Sequence, residues 1–91
     1  MDKALIITIH GRVQGVGFRH FTLRAALENN IYGYVKNLPD GEVEIFCQAD
    51  EESIKEFIFL IKKGPSFSFI TKTLISNCSV DNNIKSFEIK Y

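Results

Sequence analysis

The sequence predicts an α+β fold: a split β-α-β sandwich in which an antiparallel sheet carries two helices on one face. Three observations lead there. Apolar residues follow strand and helix periods in the order β-α-β-β-α-β, with a short extra strand at the end. A glycine-rich stretch, Gly11 to Gly17, separates the first strand pattern from the first helical one. Each helical pattern has a single apolar stripe, and one sheet face can cover both.

The first strand runs from about Ala4 to His10, with Leu5, Ile7 and Ile9 on one face and Ile6, Thr8 and His10 on the other. The first helix spans about Phe18 to Asn29; Phe18, Phe21, Thr22 and Ala25 fall at i, i+3, i+4 and i+7 and form its buried stripe. Asn29-Asn30 is its exit. Tyr32 to Asn37 is the second strand, Leu38-Pro39-Asp40-Gly41 a turn, and Glu42 to Gln48 the third strand. In that strand Val43, Ile45 and Cys47 alternate with Glu42, Glu44, Phe46 and Gln48. Asp50 caps the second helix, whose first turn holds Glu51 and Glu52. Its stripe is Ile54, Phe57, Ile58 and Ile61, and Lys62-Lys63-Gly64-Pro65 ends it. A strand follows at about Ser68 to Ile75, then a polar connection from Ser76 to Asn83, then a last strand within Ser86 to Tyr91.

The chain of 91 residues is enough for one domain with one core, so residues 1–91 are read as a single unit. Eleven basic and eleven acidic side chains cancel, which gives no general attraction to nucleic acid or anionic membrane. No apolar run approaches the ~20 residues of a membrane span. Met1-Asp2-Lys3 runs straight into a strand pattern rather than a secretory signal, so a cytoplasmic monomer is expected. Cys47 and Cys78 form no Cys-x-x-Cys motif and have no histidine at metal-ligand spacing. Cys47 shares the parity of Val43 and Ile45 and is read as a small core residue. No metal and no cofactor is expected.

The chemistry concentrates at Gly11-Arg12-Val13-Gln14-Gly15-Val16-Gly17-Phe18-Arg19. Glycines there let the backbone take positive φ, and consecutive N–H groups can then line one anion-binding concavity. The helix start adds unpaired N–H groups and the positive end of a dipole. Arg19 adds a forked set of charged donors. The expected phosphate cradle is Gln14, Gly15, Val16, Gly17, Phe18 and Arg19. It is not a Walker loop, since Phe18 follows Gly17 where Lys-Ser/Thr is needed. It is not a dinucleotide fingerprint either, since His20 stands where the third glycine belongs.

Ile9-His10-Gly11, Val13-Gln14-Gly15-Val16 and Phe18-Arg19 resemble the phosphate-loop signature of the acylphosphatase family. Gly33-Tyr34-Val35-Lys36-Asn37, followed after three residues by Gly41-Glu42-Val43, is similar to that family's second signature. The ending Phe87-Glu88-Ile89-Lys90-Tyr91 is similar to its usual C-terminus. One departure is Ala49, where the family pattern has glycine. Phe67 and Phe69 are bulkier than is usual at their positions and expose apolar surface. The resemblance implies a ferredoxin-like fold and hydrolysis of acyl phosphates to a carboxylate and inorganic phosphate. It implies that Arg19 and the loop hold the phosphoryl group and that Asn37 orients the attacking water, without metal or phosphoenzyme.

The residues suit that chemistry on their own terms. Phosphoryl transfer needs alignment and charge stabilisation more than covalent help. A carboxylate leaves without a general acid, because its conjugate acid has a pKa of about 4. Neither motif contains an obvious acid, and the position six residues before Arg19, where a cysteine nucleophile would stand, is Val13. The fold order also brings Asn37 to the cradle. With the third strand between the first and second, the ends of those two strands lie about 10 Å apart. Gln14 fits either a phosphate contact or a brace for the loop. Asp40 is read as a turn residue and His10 as a strand-end packing residue. Adjacent helix residues point about 100° apart, so His20 is expected to face away from the cradle.

Two other readings compete. A non-catalytic phosphate-binding or regulatory module could keep the loop without turnover, as carbamoyl-phosphate-handling domains of larger maturation proteins do. An RNA-binding sandwich would stack bases on Phe46, Tyr32 and Tyr34, but Glu42 and Glu44 share that face and repel phosphates.

Overall fold

The structure is a computed structural model that describes residues 2–91. Its elements follow the expected order: β1 (Lys3–Arg12), α1 (Phe18–Glu28), β2 (Tyr32–Asn37), β3 (Val43–Ala49), α2 (Glu51–Lys63), β4 (Phe69–Cys78) and β5 (Phe87–Lys90). They form one sheet in the order β4-β1-β3-β2-β5. β3 lies between β1 and β2 and is antiparallel to both, so β1 and β2 point the same way and end at the same sheet edge. The glycine loop leaves β1 at that edge, and Asn37 ends β2 there.

Register explains the core. Leu5 pairs with Cys47, Ile7 with Ile45 and Ile9 with Val43, so their side chains share one face. All six are at most 3% exposed and pack with Phe18, Ala25 and Ala26 of α1 and Ile54, Phe57 and Ile61 of α2. Each fully buried Val, Leu, Ile or Phe among them contributes about 1.5–3 kcal/mol relative to exposure. Burial also pushes the Cys47 thiol up to about 12; Cys47 and Cys78 are both unpaired. Phe21 and Ile58 are half-buried rather than buried, and Ala26 takes the inner position of α1. The α2 start is as read: Asp50 accepts from the Ser53 backbone N–H at 2.8 Å.

Three differences from the sequence reading are informative. β1 extends to Arg12 and β4 to Cys78, because the two pair along nearly their whole lengths with an irregularity at His10/Gly11. The polar residues Ser76 and Asn77 are strand residues for that reason; the pairing, not their side chains, holds them. Second, the sheet is antiparallel only through β4, β1, β3 and β2; β5 pairs in parallel with β2 and makes it mixed. β4 ends where β2 begins, so a strap of residues 79–86 crosses that end and β5 starts beside Gly33. Third, β3 does not alternate cleanly, since Phe46 and Gln48 are buried as well. The strap covers them. Gln48 Nε2 donates to the Asp81 and Ile84 carbonyls at 2.8 and 3.1 Å, and its Oε1 accepts from the Asp81 N–H at 2.8 Å.

Phe46 stacks on Tyr34 with ring centroids 5.8 Å apart. The Tyr34 phenol is pushed up to about 12, first by burial and then by its 2.8 Å hydrogen bond to Glu44. Phe46 is 6% exposed, so its ring is not open for stacking with a base; Tyr32 and Tyr34 are half-buried.

Candidate active site

A cavity of about 210 Å³ opens at the shared edge, lined by Val13, Gly15, Gly17, Phe18, Arg19, His20 and Asn37. Its floor is the β1–α1 loop. Gly15 and Gly17 take φ of 75° and 80°, and a Cβ on either would meet no atom within 4 Å. These positions need glycine for their backbone conformation, not for lack of room. Gly17 is the N-cap of α1 in the left-handed region, with no side chain capping the helix. The N–H groups of Phe18, Arg19 and His20 therefore have no acceptor in the helix and none from a cap. No acidic residue stands in the first turn of α1. The helix end thus keeps its donors and positive dipole end for an anion.

Arg19 is the charged donor of the cavity. Its Cζ lies 4.8 Å from the centroid of the Tyr91 ring. The parallel pairing of β5 explains this contact: Lys36 pairs with Lys90, so Tyr91 arrives level with Asn37 at the site edge. An aromatic face under a guanidinium limits its rotamers while leaving the forked N–H groups free. The sequence reading took Tyr91 only as the end of a strand. The parallel addition of that strand, which the period of the last residues does not encode, is what brings Tyr91 to Arg19.

Asn37 enters from the end of β2. Its Oδ1 is buried and has no hydrogen-bond partner; among the described residues only His10 Nε2 shares that state. A buried amide oxygen with no donor from the chain would cost about 1–3 kcal/mol if left bare, so this one is open to a donor from outside the chain, such as a water.

Gln14 has a different place from the other loop residues. Its Nε2 donates to the Leu38 carbonyl at 2.9 Å and to the Glu42 carbonyl at 2.8 Å. Both amide hydrogens are used, so only its backbone N–H remains for an anion. Of the two roles open to Gln14, the geometry places its side chain in the brace. That brace ties the loop to the β2–β3 turn, and hence to Asn37. Val16 packs on the core from the loop.

His20 is also among the residues lining the cavity, where its backbone N–H is one of the open donors at the start of α1. His10 pairs through Nδ1 with Glu42 Oε2 outside the cavity. Asp40 is exposed in the turn. Ala49 fits β3 as an ordinary strand residue, 4% exposed and paired with Lys3. Phe67 and Phe69 are 82% and 68% exposed and do not line the cavity. Among the described residues, no group of three or more His, Cys, Asp and Glu side chains could hold a metal ion. No helix there is long and apolar enough to cross a membrane.

Comparison with known proteins agrees with this geometry. The family model described as Acylphosphatase matches residues 5–89. A protein of Archaeoglobus fulgidus named acylphosphatase is 43% identical over 88 residues, 97% of this chain and 98% of its own length. The crystal structure of acylphosphatase from Bacillus subtilis superposes with a TM-score of 0.92 at 35% identity, covering 97% of this chain and 98% of that one. Full-length HypF in its phosphate- and nucleotide-bound form superposes with a TM-score of 0.86 at 34% identity, over 98% of this chain but 12% of the HypF chain.

Proposed function

The chain belongs to the acylphosphatase family and hydrolyses acyl phosphates, and we propose that it does so by direct attack of water, with Arg19 and the 13–19 loop binding the phosphoryl group and Asn37 orienting the water. The observation that carries this reading is the unpartnered Oδ1 of Asn37 beside the cavity that also holds Arg19. A water donating to that oxygen would satisfy it and point its lone pair at phosphorus. The loop N–H groups and the Arg19 fork would take the charge on the equatorial phosphoryl oxygens. The leaving carboxylate needs no proton, so no general acid is required. This chemistry needs no metal, because Arg19 and the loop amides do the charge stabilisation.

A phosphate-binding module without turnover, such as a domain embedded in a chain like HypF, would use the same loop. The full-length match to single-domain relatives named acylphosphatase, against 12% of the HypF chain, favours turnover. Two unpaired thiols suit a reducing cytoplasm. Zero net charge and the covered Phe46 face support action without nucleic acid or membrane partners.

The test is hydrolysis of acetyl phosphate at neutral pH in the presence of a chelator, with inorganic phosphate as inhibitor. Turnover should persist and phosphate should compete with substrate. Activity lost on chelation and restored by magnesium or zinc would contradict the proposed chemistry.

A further inference from the structure

We infer that the chain, neutral overall, draws its anionic substrate to the site through a local positive field, to which Arg12, Lys62, Lys63 and Lys72 contribute without touching the substrate. This rests on the reading of Arg19 and the loop as the phosphoryl site. Strand register divides the molecule in two. Ile75, Ile7, Ile45, Val35 and Ile89 form one row across all five strands. On the site side of that row the strands carry Arg12, Lys36, Lys72 and Lys90. The helix ends there add Arg19, at the start of α1, and Lys62 and Lys63, at the end of α2. That end of α2 lies beside the site: a Cβ on its C-cap, Gly64, would stand 3.3 Å from the ring of Phe18, which lines the cavity. Three acidic side chains share this side, Asp40, Glu42 and Glu44. The far side holds the other four basic and the other eight acidic side chains. The equal totals of eleven therefore conceal an excess of four positive side chains around the site, offset in part by the terminal carboxylate of Tyr91, and an equal negative excess away from it.

Pairing sharpens the contrast. Glu42 is taken by His10, and Glu44 by Lys36 and Tyr34. Arg12, Lys62, Lys63 and Lys72 are all exposed, and none of them pairs with a carboxylate among the described residues. None of the four lines the cavity. Their charges reach it through solvent, where screening sets in over about 10 Å at 0.1 M salt and about 3 Å at 1 M. The molecule measures 31 × 23 × 20 Å, so at 0.1 M the far side is largely screened from the site while these four charges are not. Charges of one sign beside a cleft raise the local concentration of counter-ions and speed their capture. A phosphoryl group carries about 1.5–2 negative charges at pH 7, so each lysine charge counts nearly twice.

The experiment measures kcat and kcat/KM for acetyl phosphate at neutral pH in about 0.1 M and about 1 M sodium chloride. It compares the double variant Lys62→Glu/Lys63→Glu with Lys55→Glu/Lys85→Glu, which changes net charge equally on the far side. Competition by chloride is common to all proteins and cancels in the ratio of each variant to the unmodified chain. At 0.1 M the pair beside the site should lower kcat/KM about three- to tenfold with kcat within about twofold, and the loss should close at 1 M. The far pair should stay within about twofold at both salt concentrations. Lys62→Gln/Lys63→Gln places no acidic charge at the end of α2 and should show about half the loss on a logarithmic scale, closing with salt in the same way. Equal losses in the two Glu pairs would make net charge, not its placement, the cause and overturn the inference. So would a loss that survives 1 M salt, or no loss in the pair beside the site. Failure of the underlying phosphoryl site looks different: Arg19→Ala would then hydrolyse acetyl phosphate at the unmodified rate at either salt concentration.

Discussion

The side-chain amide of Gln14 donates to the backbone carbonyl of Glu42 at 2.8 Å, across 28 residues of chain. With its second bond to Leu38, this contact joins the phosphate loop to the turn that follows Asn37. The two halves of the site are thereby held in one frame. Gln14→Ala should cost about 1–3 kcal/mol of stability, the scale of two lost hydrogen bonds at about 0.5–1.5 kcal/mol each, since both carbonyls keep backbone partners in the turn. It should also lower kcat/KM by about 10- to 100-fold, because small misplacements of aligned groups are costly. Gln14→Glu should be no better, since a carboxylate facing two carbonyls has nothing to donate. Denaturant unfolding and steady-state kinetics on both variants check this; full activity in Gln14→Glu would show that the brace does not matter.

The stack of Arg19 on Tyr91 predicts a graded series. Tyr91→Phe keeps an aromatic face and should stay close to the unmodified protein. Tyr91→Ala should weaken phosphate binding about two- to fivefold, the worth of an exposed cation–π contact. Arg19→Lys should lose about 10³-fold or more in kcat/KM, because a point charge cannot replace the fork at the transferring group. Near-normal rates in Arg19→Lys would mean that charge alone suffices.

Gln48 makes three hydrogen bonds to the strap at the sheet end away from the cavity. Gln48→Leu removes them all and leaves the Asp81 N–H and the Ile84 carbonyl without those partners, while the Asp81 carbonyl keeps the Ile84 N–H. The loss should be about 3 kcal/mol of stability, with kcat within about twofold of normal. Thermal unfolding and an acetyl phosphate assay on one sample check both halves of the statement.

The helices and most strands were legible from their hydrophobic periods, and Asn37 from its place after Gly33-Tyr34-Val35-Lys36 in the motif similar to the family's second signature, at a strand end that the strand order brings to the loop. What escaped was set by tertiary pairing. β4 reaches Cys78 through bonds to β1 that polar Ser76 and Asn77 do not announce. Tyr91 reaches Arg19 only because β5 adds in parallel to β2. Gln48 shares the parity of Glu42 and Glu44, which signals an open face, and the strap covers it afterwards.

The central claim is that Asn37 positions water and Arg19 holds phosphate. The most direct measurement takes Asn37→Ala and determines phosphate affinity and single-turnover hydrolysis of acetyl phosphate on the same sample. The account predicts a single-turnover rate lower by at least ~10²-fold, the scale of one positioned polar group in a catalytic site, with phosphate affinity changed only a few fold. If affinity collapses while bound substrate still reacts at the unmodified rate, Asn37 is a binding residue and the account is wrong.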